Sequence, residues 1–98
     1  MNTIELEIVT PNETVAKESG VTEIVIPASN GEVDILPDHT EFMTTLNQGE
    51  VRFSIGSSTK NYNVTGGLFS INDNKATILA DSLLATVTKL DDVRREKK

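Results

Sequence analysis

Gly31-Glu32-Val33-Asp34-Ile35-Leu36-Pro37-Asp38-His39 sets a glycine turn, a short Val33 to Leu36 run, a proline turn and the chain's single histidine between two segments that read as strands. Glycine and proline at fixed offsets define a loop's path, and loops held by a rigid scaffold are where function concentrates. The stretch therefore reads as a function-bearing loop on a β-scaffold.

The flanks supply that scaffold. Upstream, Ile24-Val25-Ile26 suits a pleated surface within a strand over Val21 to Ile26, which Pro27 is expected to end and the Ser19-Gly20 turn to precede. Ile4, Leu6 and Ile8 alternate with Glu5, Glu7 and Val9, the period of a half-buried strand, and Glu13 to Lys17 reads as a second one. Downstream, Phe42 to Leu46 leads to the Asn47-Gln48-Gly49 turn, and Val51, Phe53 and Ile55 form a hairpin with Tyr62 and Val64 across Gly56-Ser57-Ser58. Gly66-Gly67 predicts a bend where two backbones come close, Asn72-Asp73-Asn74 a turn, and Lys75 to Ala80 a returning strand. Leu83, Ala85 and Val87 continue the alternation into an edge strand, and Leu90 to Glu96 has helical composition with Asp91 as its cap. The expectation is an all-β fold, an antiparallel β-sandwich of two sheets with about ten short strands, covering 1–88, and a short helical or frayed tail over 89–98.

Composition removes several functions. Ninety-eight residues suit one domain. With no cysteine there is no disulfide framework, thiolate zinc site or cysteine nucleophile. A formal charge of −6 disfavours nucleic acid and direct insertion among anionic lipids. Arg94-Arg95-Glu96-Lys97-Lys98 reads as a solvated end. No apolar run reaches the roughly 20 residues of a membrane span, and Met1 to Ile4 opens a strand pattern instead of a targeting leader. The chain is expected to be soluble and untargeted.

Catalytic chemistry is also thin. A serine triad would have to use His39, and none of Ser29, Ser54, Ser57, Ser58, Ser70 or Ser82 lies in G-x-S-x-G. Asp34, Asp38, His39 and Glu41 are a candidate metal cluster, but their spacing fits neither the calcium loop nor H-E-x-x-H. Neither a metal nor another cofactor is expected. Gly66-Gly67 lacks the Lys-Ser/Thr and helix of a phosphate loop.

With these residues in view, the chain resembles the epsilon subunit of F-type ATP synthases, called delta in mitochondria. The matching pieces are Leu6-Glu7-Ile8-Val9-Thr10-Pro11, Ile24 to Pro27 leading into Gly31 to His39, Thr45-Leu46, Gly49-Glu50-Val51-Arg52, Val64 to Phe69 and Thr77 to Asp81. The resemblance implies a non-catalytic rotor subunit of the central stalk, with an N-terminal sandwich docked on the gamma subunit and the membrane c-ring, coupling ion flow to ATP synthesis. It implies c-ring contacts at Gly31, Glu32, Asp38 and His39, and gamma contacts at Phe42, Met43 and Thr44. Because Phe42 and Met43 are adjacent on a strand, one should point inward. The resemblance implies a peripheral place on the cytoplasmic face of a bacterial inner membrane, or its plastid or mitochondrial equivalent.

Two departures stand out. The family loop usually has glycine at Asp34 and Asp38; aspartate tolerates left-handed backbone, so the fold should survive while added charge alters which partner surface is accepted. Leu90-Asp91-Asp92-Val93-Arg94 resembles the first part of the family's nucleotide-binding motif, with Asp91 and Arg94 as its candidates. The second helix of the family's hairpin is absent from this sequence, so neither tight ATP binding nor inhibition by an extended hairpin is expected. The alternative of a different class is a sandwich module for a peptide or sugar, which would need an exposed aromatic platform from Tyr62 and three phenylalanines.

Overall fold

The computed structural model describes residues 2–84. Nine strands occupy them: β1 Ile4–Val9, β2 Thr14–Val21, β3 Glu23–Ala28, β4 Gly31–Ile35, β5 Phe42–Leu46, β6 Gly49–Ile55, β7 Ser58–Val64, β8 Gly67–Asn72 and β9 Lys75–Ala80. Hydrogen bonding links them in the order β2-β1-β9-β8-β5-β3-β6-β7, with β4 on the free side of β3. Between β5 and β3 the connection is one residue pair, Ala28 with Leu46. The ladder turns at that corner, so one leaf (β2-β1-β9-β8-β5) lies over the other (β4-β3-β6-β7) as a sandwich.

Alternation decides what the leaves enclose, because successive side chains in a strand point to opposite faces. Ile4, Leu6 and Ile8 from β1, Phe69 and Ile71 from β8, and Ile78 from β9 meet Ile24 and Ile26 from β3, Ile35 from β4, and Val51 and Phe53 from β6, all buried. Each such side chain contributes about 1.5–3 kcal/mol of transfer free energy. Tyr62 covers the core beside Phe53, the rings stacked at 6° with centroids 6.1 Å apart.

Turn chemistry matches the hairpins. Asp73 and Asn74 both adopt positive φ, 55° and 60°, between the paired Asn72 and Lys75, as a type I′ turn requires. Gly56, with φ 61°, opens the two-residue turn between Ile55 and Ser58. At Gly66 and Gly67, φ is 152° and 146°, and a Cβ on Gly67 would overlap the carbonyl oxygen of Leu79. The expected close approach of two backbones is therefore between β8 and β9.

Several local expectations change. Ser19-Gly20 is not a turn: β2 runs through it to Val21, and Gly20, at φ 74°, accompanies a register shift between the Ile4–Val21 and Leu6–Glu18 pairs. A bulge absorbs the glycine that the sequence offered as a turn signal. Pro27 does not end its strand either. It faces Glu32 across the β3–β4 hairpin and its carbonyl accepts the Asn47 N–H at 2.8 Å, so its missing donor is not required. All pairings are antiparallel save β1 with β9, which is parallel from Glu5–Lys75 to Val9–Leu79. Parallel neighbours need a long crossover, and here the whole intervening domain supplies it. Of the expected edge strand at 83 to 87, the described part is a single bridge, Leu83 to Val64; Ala85, Val87, the boundary at 88 and the tail over 89–98 lie outside the described residues.

Candidate partner-docking surface

The stretch that dominates the sequence becomes an edge strand followed by a tight turn. β4 carries Gly31 to Ile35, and the His39 N–H closes the turn by donating to the Leu36 carbonyl at 3.2 Å. Pro37 presets the second turn position, and Asp38, at φ 67°, takes the third, the pattern of a type II turn. Asp38 thus occupies the left-handed conformation anticipated for it. Asp34 does not: it is an extended strand residue opposite Val25.

Asp38 is bound on every side. Its backbone N–H donates to Oδ1 of Asn74 at 2.6 Å, and Nδ2 of Asn74 donates back to its Oδ1 at 2.9 Å. Nδ2 of Asn2 reaches Oδ1 and Oδ2 at 2.9 and 3.1 Å. The amides of Asn74 and then Asn2 stabilise the charged carboxylate and hold its pKa below the ordinary aspartate value. Next to it, His39 places Nδ1 2.8 Å from the Thr40 carbonyl oxygen and lays its ring 5.6 Å from that of Phe42.

β5 resolves the Phe42-Met43 alternation. Phe42 turns inward, its ring 6.4 Å from Phe69, and Thr44 shares that inner side through its pairing with Phe69. Met43 points outward and is 66% exposed. On the same outer face Thr45 lies opposite Leu68, Leu68 opposite Leu79, and Leu79 beside Val9, with Leu79 48% exposed. Met43 therefore stands at one end of a partly apolar face formed by β5, β8, β9 and β1.

Gly31 and Glu32 sit at the other end of β4 from Asp38 and His39. Strand β4 spans about 14 Å from Gly31 to Ile35, four steps of ~3.4 Å, before the Asp38 turn begins. Glu32 is exposed and lies 3.6 Å from Nη1 of Arg52, which also meets Oε1 of Glu50 at 3.1 Å. Hydrogen bonding to Glu50 and the charge of Glu32 raise the Arg52 pKa. Farther along the same outer face, hydrogen bonding and repulsion from Asp34 raise the pKa of Glu23.

Sequence reasoning grouped Gly31, Glu32, Asp38 and His39; the structure brings together only the pairs at each end. It also passed over Asn2, Asn74, Leu68 and Leu79. Asn74 was visible only as a turn residue, and nothing local links it to a position 36 residues away. Asp34, Asp38, His39 and Glu41 do not converge: among the described residues no three His, Asp or Glu side chains are grouped to hold a metal. Two surface clefts, one around Asn47, Thr65 and Asp81 and one around Glu7, Lys17 and Lys75, have no aromatic lining. No helix among the described residues is long and apolar enough to cross a membrane. Asp91 and Arg94 lie outside the described residues.

The fold and its surface define an all-β sandwich that offers a charged hairpin at one end, a hydrogen-bonded turn at the other and a partly apolar outer face. Residues 3–86 match the family model described as the ATP synthase delta/epsilon chain, β-sandwich domain, and the chain belongs to that family. It is 41% identical over 80 residues to the ATP synthase epsilon chain of Pelotomaculum thermopropionicum, covering 82% of this chain and 59% of the relative. To that of Desulfitobacterium hafniense it is 35% identical over 80 residues, covering 82% and 60%. The chain thus spans about 60% of the length of these curated relatives. Among solved structures, a chain of the Euglena gracilis mitochondrial ATP synthase OSCP/F1/c-ring assembly superposes with a TM-score of 0.79 at 23% identity, over 86% of this chain and 54% of that one. A chain of the Tetrahymena thermophila mitochondrial ATP synthase central stalk/c-ring gives 0.72 at 17% identity, over 100% and 84%. These two likenesses concern the fold.

Proposed function

We propose that this chain is a non-catalytic central-stalk subunit of an F-type ATP synthase, docking on the gamma subunit and the c-ring and coupling ion flow to ATP synthesis, peripheral to the membrane through the complex. The observation that carries this reading is the exposed Met43 on an outer face shared with Leu68 and Leu79, in a chain of this family. A thioether beside small polar residues is an anchor of the kind that interface cores use. We read the two ends of β4 as facing different partners, which moves Asp38 and His39 from the c-ring contacts implied by the resemblance to the gamma side. The Gly31-Glu32 end, with its acidic side chain, suits the polar loops of a ring, whereas the Asp38-His39 turn is continuous with Phe42 and Met43 and belongs with the gamma contact. His39 is engaged with the Thr40 carbonyl and the Phe42 ring, an arrangement suited to holding a loop in place.

The test is capture of the purified chain by the gamma subunit and, separately, by the detergent-solubilised c-ring of the same ATP synthase. Met43→Ala is expected to weaken capture by gamma and leave that by the ring, and Glu32→Lys to do the reverse. A folded chain that binds neither partner overturns the proposal.

A further inference from the structure

The reciprocal contact between Asp38 and Asn74 is the most heavily satisfied polar arrangement on the described surface, and it joins two turns 36 residues apart. Asn74 uses its oxygen to accept the Asp38 N–H and its nitrogen to donate to the Asp38 carboxylate, so one planar amide fixes both backbone and side chain of the turn. Its own position is secured by its left-handed backbone, φ 60°, and by its carbonyl, which accepts the Glu5 N–H at 2.9 Å. That anchor belongs to the β1–β8–β9 side of the core. The turn over 36–41, by contrast, has among the described residues one backbone–backbone link beyond the strands, from His39 N–H to the Leu36 carbonyl. Its orientation against the sandwich therefore depends on side chains.

We infer that Asn74, assisted by Asn2, is a positioning residue that locks the Asp38 turn to the β8–β9 turn and so presents His39 and the start of β5 to the partner; Asp38 is spent on this internal lock and is not a partner contact. The inference rests on the proposed docking to gamma. Glycine at position 38 would satisfy the backbone equally well but would offer no carboxylate to Asn74, so in this chain aspartate converts a turn defined by backbone alone into one pinned to its neighbour. An amide facing a carboxylate is complementary, and two carboxylates facing each other are not.

That asymmetry gives the test. Asn74→Asp sets like charges together, while the exchanged pair Asp38→Asn with Asn74→Asp restores an amide opposite a carboxylate, with the residue 38 N–H still donating to an oxygen at 74. Gamma affinity is measured together with amide hydrogen exchange at Asp38 and His39, and Asn74→Gly, which keeps the left-handed backbone, serves as a second variant that lacks the side chain. Asn74→Asp and Asn74→Gly are expected to weaken gamma binding about fivefold to tenfold and to speed exchange at Asp38 and His39. The exchanged pair is expected to return both to within about twofold of the original chain. Unchanged exchange in both single variants, or an exchanged pair as impaired as Asn74→Asp alone, overturns the inference. If the unaltered chain does not bind gamma, the docking proposal fails by itself and hydrogen exchange still decides whether the lock exists.

Discussion

The rings of Phe42 and Phe69 lie 6.4 Å apart at 52°, on adjacent strands and on the core side of β5 and β8. That contact turns the half-buried Phe42 toward the core and, by strand alternation, puts Met43 into solvent. Alternation in the sequence requires one of the two to point inward without saying which, and the ring contact assigns that side to Phe42.

Phe42→Ala should lower unfolding free energy by about 1–3 kcal/mol, since it removes a half-buried aromatic and its tilted ring contact. Met43→Ala should stay within about 0.5 kcal/mol of the original chain. Urea titration of the two variants checks the split, and equal losses would show that both side chains belong to the core.

Gly67 and Gly56 both have positive φ, but only at Gly67 would a Cβ meet the backbone of the next strand; around Gly56 nothing lies within 4 Å. Gly56→Ala should cost about 1–2 kcal/mol, the strain of a left-handed alanine. Gly67→Ala must also push β8 from Leu79 and should cost about 2 kcal/mol more, by overpacking against backbone. Comparable midpoints in thermal unfolding for the two variants would refute the close approach.

Legibility followed the range of the interactions involved. The alternation of Ile4, Leu6 and Ile8, or of Val51 and Phe53, is written within one strand and gave the correct core face. The Asn72 to Asn74 turn was legible because left-handed backbone is a property of residue type. Ser19-Gly20 misled because glycine with positive φ serves a bulge as well as a turn, and only the partner strand's register separates the two. The parallel β1–β9 pair and the Asp38–Asn74 lock join residues far apart in the chain, so no window of sequence contains both members. Glu32 and His39 are seven positions apart, and only the extended path of β4 shows that they stand at opposite ends of a strand.

Asp38 should give the turn an acid limb. Its folded-state pKa lies below the ordinary 3.8 because the Asn74 and Asn2 amides favour the ionised form. A depressed carboxylate contributes stability that is complete above the unfolded value and lost as pH falls through the folded one. Exchange at the His39 amide should therefore accelerate on acidification below the ordinary aspartate range, beyond the intrinsic pH effect on exchange, and Asp38→Asn should lack that extra step. An identical acid profile in the two proteins would remove the charge from the lock.

Glu23 carries the opposite sign. Its carboxyl shares a hydrogen bond with Asp34, and repulsion between the two adds to this, so its folded-state pKa lies above the ordinary 4.5 despite the nearby Arg52 guanidinium. A raised value means that the native pair holds a proton that the unfolded chain would release. The associated stability is present below the unfolded value and is lost as pH rises through the folded one, leaving two facing carboxylates near neutrality. Glu23→Gln keeps a donor for Asp34 and removes the second charge, so it should raise the melting temperature near neutral pH and lose that advantage below the ordinary glutamate range. Asp34→Gly should relieve the same repulsion but forfeit part of the gain, because glycine weakens β4 opposite Val25. Melting curves of the three proteins across that pH window decide it. A Glu23→Gln curve parallel to the original chain's would mean that the outer-face carboxyls titrate independently and that Arg52 alone neutralises the strand.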